Sequence, residues 1–252
     1  MKTKILVATH KPYRFPDDDL YVPVHVGKEI SQNDLGYLGD DTGENISKKN
    51  SSYSELTALY WAWKNDFFKR YDYVGLVHYR RYFLGTGTFG KCNILTAKEI
   101  EAVMERYDVI VPAKRNYYIE TVRSHYEHAH HKKDLDMLEE VLGQYSPEYM
   151  DAFAKVMKQR NLFLYNMFVM RTEHFDAYCS WLFMILFEVE RRVDISGYDA
   201  YQGRVFGFLA ERLFNVWLLQ HDLRIKEVKV VNTEGENLIL KAVNMLKRKY
   251  MK

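Results

Sequence analysis

The chain is short of the residues that staple a fold or interrupt it. Its 252 residues include two cysteines, Cys92 and Cys179, and five prolines. The cysteine spacing matches no zinc or redox pattern, which excludes a disulfide scaffold and a cysteine metal centre and suits a reducing compartment. Long apolar runs are also missing. The longest, from Trp181 to Phe187, falls well below the roughly 20 residues that cross a bilayer. The apolar run after the basic start, MKTKILVA, is too short for a signal peptide. Charge of one sign is scarce as well: 36 Lys and Arg against 34 Asp and Glu leave a net +2, so no global case exists for nucleic acid. There is no internal repeat and no low-complexity segment.

Aromatic residues are abundant, at 15%, with 20 Tyr and 14 Phe. Amphipathic rings of this kind line sugar and nucleotide grooves as well as cores. The length fits one α/β domain, read as residues 1–235, followed by a basic amphipathic helix over 236–252. That helix carries Ile239, Val243, Leu246 and Tyr250 on one face. It suits either docking on its own domain or peripheral contact with an anionic membrane.

The organising stretch is Tyr71 to Phe83, YDYVGLVHYRRYF. Its apolar run reads as a strand covered on both faces. His78, Arg80 and Arg81 follow with no turn signal. Ligands of open α/β sheets bind just beyond the carboxyl ends of strands, and arginine forks suit phosphate oxygens. The first strand, Ile5 to Ala8, leads in the same way into Thr9, His10 and Lys11, a polar loop of the kind that opens a nucleotide-binding unit. Asp17, Asp18 and Asp19 read as a solvated loop, with metal binding as the alternative. Residues 31–52 form a long polar loop expected to bind. In it Asp40, Asp41, Thr42 and Asn45 offer carboxylate, hydroxyl and amide groups to a ribose or base. Asn50 and Tyr53 are expected to shape the same pocket.

Ser52 and Glu55 have capping-box spacing. They predict a helix from about Ser51 to Arg70, with Leu56, Leu59, Tyr60, Trp63 and Phe67 on one face. A helix over Ala97 to Arg106 and a strand over Tyr107 to Pro112 come next, the strand ending in Lys114 and Arg115. His125, His128, His130 and His131 then cluster without a recognisable metal pattern; His128 and His131 read as acceptor-binding candidates. Two helices lead to an apolar strand, Asn161 to Met170, interrupted by Asn166, a polar group that must find either a structural partner or substrate. Helices over 173–192 and 204–221 and a last strand over 224–231 complete the domain. Glu211 lies off the apolar stripe of the second of those helices.

This order of elements resembles a GT-A-like nucleotide-sugar transferase fold, a mixed central sheet flanked by helices. In that fold an Asp-x-Asp motif after the long helix holds a divalent metal. Here the position reads Val77-His78-Tyr79-Arg80-Arg81. KPY near the start, GYLGDDTGENISKKNSSYSELTALYWAWKN, YVGLVHYRRYF and FLAERLFNVWL together resemble a bacterial family once described only as a domain of unknown function. Its members occur among capsular and exopolysaccharide biosynthesis proteins and are regarded as glycosyltransferases, some of them galactofuranosyltransferases. The resemblance implies a UDP-sugar donor and a polyprenyl-linked glycan acceptor, used in capsule, exopolysaccharide or O-antigen synthesis at the cytoplasmic face of the inner membrane. It implies no nucleic-acid partner. Glu211 resembles the catalytic base of inverting members of the fold, with Asp41 (and Asp40 beside it) as runner-up. His78, Arg80 and Arg81 stand where the donor diphosphate would be neutralised, so the reaction is expected to need no metal, with Mn or Mg as the alternative. A non-catalytic glycan- or nucleotide-binding scaffold of the same fold is the other expectation.

Overall fold

The computed structural model describes residues 2–234. The helix expected over 236–252 lies outside them. The strands are β1 (Thr3–Thr9), β2 (Tyr21–His25), β3 (Leu38–Gly39), β4 (Tyr73–His78), β5 (Arg81–Phe83), β6 (Gly87–Phe89), β7 (Cys92–Ile94), β8 (Val109–Pro112), β9 (Arg115–Asn116), β10 (Asn161–Leu162), β11 (Phe168–Arg171), β12 (Ile225–Val228) and β13 (Val230–Asn232). The helices are α1 (Asn50–Tyr53), α2 (Leu56–Lys64), α3 (Ala97–Met104), α4 (Val122–Ala129), α5 (Lys132–Tyr145), α6 (Met150–Lys158), α7 (Thr172–Arg192) and α8 (Val205–Gln220).

The central sheet runs β12-β8-β11-β4-β1-β2-β3, and β5 and β13 extend from β4. It is mixed. β1, β2, β3 and β4 are mutually parallel, β11 runs antiparallel to both β4 and β8, and β12 is parallel to β8. Alternation along each strand explains why helices cover both faces, since successive side chains point to opposite sides. Leu6, Val74, Leu76, Val109, Val111, Phe168 and Met170 face a large core shared with α2 and α4–α8. Ile5, Val7, Tyr73, Val77, Ile110 and Val169 face a second core with α3 and the β5–β7 region. This is the flanked mixed sheet, GT-A-like in arrangement, that the element order implies.

Gly75 sits at the crossing of β4 and β11. A Cβ there would lie 2.7 Å from the Phe168 carbonyl oxygen, so only glycine lets the two strands pair at this register.

Several local expectations fail for identifiable reasons. The helix after the long loop is broken: α1 stops at Ser54, whose backbone has φ 53° and ψ −132°, and α2 restarts and ends at Lys64. Ser52 and Glu55 form no capping box, because Ser52 donates to the Lys49 carbonyl instead. The true boxes are Thr96 with Glu99 and Thr121 with Ser124. The run from Asn161 to Met170 is two strands, with Tyr165 and Asn166 at φ 77° and 51° between them. The last strand likewise divides into β12 and β13, and the second half pairs with β5.

Candidate functional site

Because β1, β2, β3 and β4 are parallel, Thr9, His25, Gly39 and His78 end on one edge of the sheet. Antiparallel β11 begins at that edge, so the turn of Tyr165 and Asn166 arrives beside His78. This turn organises the site. Its Tyr165 carbonyl meets His78 Nε2 at 2.7 Å, and its Tyr165 N–H donates to Glu211 Oε1 at 2.7 Å. Asn166 is buried; its side-chain NH2 donates to Glu55 Oε1 at 2.7 Å and to the Gly207 carbonyl at 3.2 Å. Asn215 on α8 grips the backbone of Phe163 from both sides, donating to its carbonyl and accepting from its N–H. Two adjacent non-glycine residues in the left-handed region are strained, and such strain persists only where surrounding bonds over-determine it. Asparagine tolerates that region better than most residues, which accounts for one of the two.

The electrostatics follow from this packing. Burial pushes the Glu211 carboxyl above its ordinary range, against the pull of Arg212 and the Tyr165 N–H. The Glu211 side chain stays 17% exposed, with Oε2 at 3.0 Å from Arg212 Nη1. Glu55, a further buried acid, adds to the upward shift. Burial pushes His78 down despite the nearby Glu55. A ring nitrogen facing a carbonyl must carry the proton, so His78 donates Nε2–H to Tyr165, and burial disfavours a second proton on the ring. This corrects its expected role as a cation on the diphosphate. Positive charge at this edge comes from arginines. Arg81 lies over the Tyr165 ring at 4.6 Å. Arg80 pairs with Glu234 at 3.0 Å, as Lys11 does at 3.3 Å. Arg204, exposed at the foot of α8, donates to Ser54 Oγ at 3.1 Å and lowers the pKa of His10, His78 and Glu211 alike.

The other expected residues divide. His10 is exposed and held low by burial of part of its ring and by Lys11 and Arg80. Asp41 is half-buried, with Oδ1 shielded and free of a hydrogen bond. Both remain at the edge. Thr9 is fully buried, its hydroxyl donating to the Lys11 carbonyl, which corrects its placement on a nucleotide. Asp40 is also fully buried. It accepts from the N–H groups of Gly27 and Lys28 and from the Ser47 hydroxyl, so it ties the long loop rather than facing a ligand. Asn45 closes a local turn through Gly43 and Ser47, and Asn50 donates to Ser54 and Thr57. Tyr53 is buried, with its hydroxyl on Glu190. Those three hold structure. The Asn166 NH2 is taken by Glu55 and Gly207, while its Oδ1 is buried without a hydrogen bond. His128 meets Glu120 at 2.6 Å and His131 lies tilted against Tyr198 at 4.2 Å between ring centres, both on the exposed α4–α5 junction.

Sequence reasoning missed Glu55, Tyr165 and Arg204 as site residues. Glu55 looked like a helix cap. Tyr165 acts through its backbone, which leaves no side-chain signal. Arg204 was legible only as a helix-starting charge.

A divalent metal, which the fold's usual motif would hold, does not fit the end of β4. That position presents an imidazole whose Nε2–H is already donated and two guanidinium groups, with no oxygen ligand for a hard cation. Among the described residues no three His, Cys, Asp or Glu side chains converge as a metal site. No helix among them is long and apolar enough to cross a membrane.

Comparison with known proteins places this geometry. One solved structure, the WbbM bifunctional glycosyltransferase in its apo state, superposes with a TM-score of 0.84 at 33% identity over 94% of this chain. The chain spans 46% of that protein's length. The mannosyltransferase Ktr4p from S. cerevisiae aligns over 92% of this chain and 71% of its own, at 10% identity and a TM-score of 0.36, too distant to carry an argument. No curated protein matches. A family model described as "Domain of unknown function (DUF4422)" matches residues 4–222. The chain therefore belongs to the DUF4422 family.

Proposed function

We propose that the chain is an inverting glycosyltransferase. It moves a hexose, such as galactofuranose, from a UDP-sugar to a hydroxyl of a polyprenyl-linked glycan in capsule, exopolysaccharide or O-antigen synthesis. Peripheral contact with the cytoplasmic face of the inner membrane is part of the same proposal. The observation that carries it is the meeting of Glu211, raised in pKa and still partly exposed, with Arg81 and Arg204 around one strained turn at the carboxyl edge of the sheet. The likeness to a bifunctional glycosyltransferase supports the class.

In this reading Glu211 takes the proton of the acceptor hydroxyl as its oxygen attacks the anomeric carbon. The bond from that carbon to the diphosphate oxygen breaks, and the electron pair leaves with UDP. Arg80, Arg81 and Arg204 meet the charge that develops on the leaving group, the task a metal performs elsewhere. Release of Arg80 and Lys11 from Glu234 frees further positive charge for the donor. A base works best when its pKa approaches the working pH, which is the direction burial moves Glu211.

The test is Glu211→Gln, assayed for transfer and for UDP binding. Turnover is expected to fall by about 10²-fold or more, with UDP affinity close to that of the parent. Undiminished turnover would remove Glu211 as base. An absence of turnover in the parent itself, with glycan or nucleotide binding retained, would point to the scaffold alternative.

A further inference from the structure

The chain leaves β8 at the same edge of the sheet as the site, because β8 is parallel to β4. It then runs through an exposed stretch, Ala113 to Asn116, into the β9–β10 ribbon and a tip at Tyr118 and Ile119. Those two side chains are 73% and 70% exposed, the most exposed large apolar residues among the described ones. The tip is built rather than loose. Asn116 Oδ1 accepts the Tyr118 N–H at 2.7 Å, and the Ile119 N–H donates to the Tyr117 carbonyl at 2.7 Å. Arg160 across the ribbon donates to the Tyr118 carbonyl at 3.3 Å. Beneath the tip Tyr117 is buried and stacks on His125 at 4.0 Å.

Tyr118 holds φ at 59°, a left-handed conformation that costs a tyrosine energy. Folding gains nothing from straining a turn so that an aromatic and an aliphatic side chain point into water. The charges around the tip are predominantly positive. Lys114, Arg115 and Arg160 are all exposed. Two acids stand among them, Glu120 beside His128 and Glu227 accepting the Lys114 N–H, so the cations outnumber them. An aromatic and a branched aliphatic ringed by cations match the interface of an anionic bilayer, apolar below and negative above.

We propose that Tyr118 and Ile119, with Lys114, Arg115 and Arg160, seat the chain on the anionic surface of a phospholipid bilayer. Seated this way, the carboxyl edge that carries Glu211 and the arginines opens at the level of the headgroups. The use of this seating rests on the lipid-linked acceptor proposed above; the seating itself does not.

The test is co-sedimentation of the full chain with phosphatidylcholine vesicles made with or without phosphatidylglycerol. Binding is expected to the anionic vesicles only and to weaken as salt rises. The double variant Tyr118→Ser with Ile119→Ser is expected to lose about tenfold or more of that affinity. Arg115→Ala and Arg160→Ala should each lose roughly fivefold. The double variant's unfolding midpoint should match the parent's, since both side chains are already exposed. Binding that the double variant leaves unchanged assigns the membrane to another surface and overturns the proposal. So does binding to neither vesicle, or equal binding to both. Failure to turn over a sugar donor leaves the vesicle result standing, so the two readings fail separately.

Discussion

Glu55 is the residue on which the site's charge balance turns. It is buried, accepts from Asn166, and lies near enough to raise both the His78 and the Glu211 pKa. A second buried negative charge disfavours ionisation of the first. Glu55→Gln keeps the shape, and its amide oxygen can still accept from Asn166. It removes the charge, so the Glu211 pKa falls. The acid limb of the pH–activity profile, set by ionisation of the base, is then expected to move to lower pH. An unmoved limb would separate Glu55 from the base. Nothing in the sequence around Glu55 suggested this, since a glutamate three residues after a serine at a helix start already has an ordinary explanation. Asp40 failed in the opposite direction. Beside Gly39 and Asp41 it looked solvent-facing, yet it is fully buried and binds two backbone N–H groups. A pattern of polar residues shows that carboxylates are present, but not which of them the backbone consumes.

Elements were most legible where burial alone decides them. β1, β4 and β8 stood out as apolar runs because both of their faces are covered, and α8 because its apolar stripe is wide. The breaks at Ser54 and at Tyr165–Asn166 were not legible, since a non-glycine residue at positive φ is imposed by tertiary bonds and carries no local signature. Gly75 makes the converse case, an unremarkable residue in the sequence that sets the β4–β11 approach. Gly75→Ala is expected to cost about 1–3 kcal/mol by overpacking, read as a lower urea midpoint. An unchanged midpoint would show that the strands can part without cost. β8 and β12 are clasped at their starts by Arg224, which holds both carboxylate oxygens of Asp108, at 2.7 and 2.9 Å. This pairing lowers the Asp108 pKa to about 2, against about 3.9 in an unfolded chain. The folded form binds its proton less readily, so the contribution is full above about pH 4 and fades as pH falls toward 2. Asp108→Asn is expected to cost about 1 kcal/mol at pH 7, after allowance for an exposed arginine. The difference from the parent should shrink below pH 4, and a cost that persists there would mean the clasp works through packing and not charge.

At the scale of the molecule, a mixed sheet places the parallel strands' carboxyl ends, and the beginnings of antiparallel β5 and β11, on a single edge. That topology brings His10, His78, Arg81, Glu211 and the Tyr165–Asn166 turn together from separate parts of the chain. The motif Val77-His78-Tyr79-Arg80-Arg81 marked the end of β4 as the candidate site. It could not show that burial disfavours a charged His78 or that Arg204, at the foot of α8, bears on His78 and Glu211. The central claim is that guanidinium groups, not a metal, receive the nucleoside diphosphate at this edge. Calorimetric titration of the chain with UDP, with and without manganese and against GDP and CDP, tests it most directly. The account predicts UDP binding that is indifferent to manganese and to EDTA, preferred over GDP and CDP, and lost in Arg81→Ala and Arg80→Ala. Binding that appears only with manganese, or that survives both arginine substitutions, would contradict it.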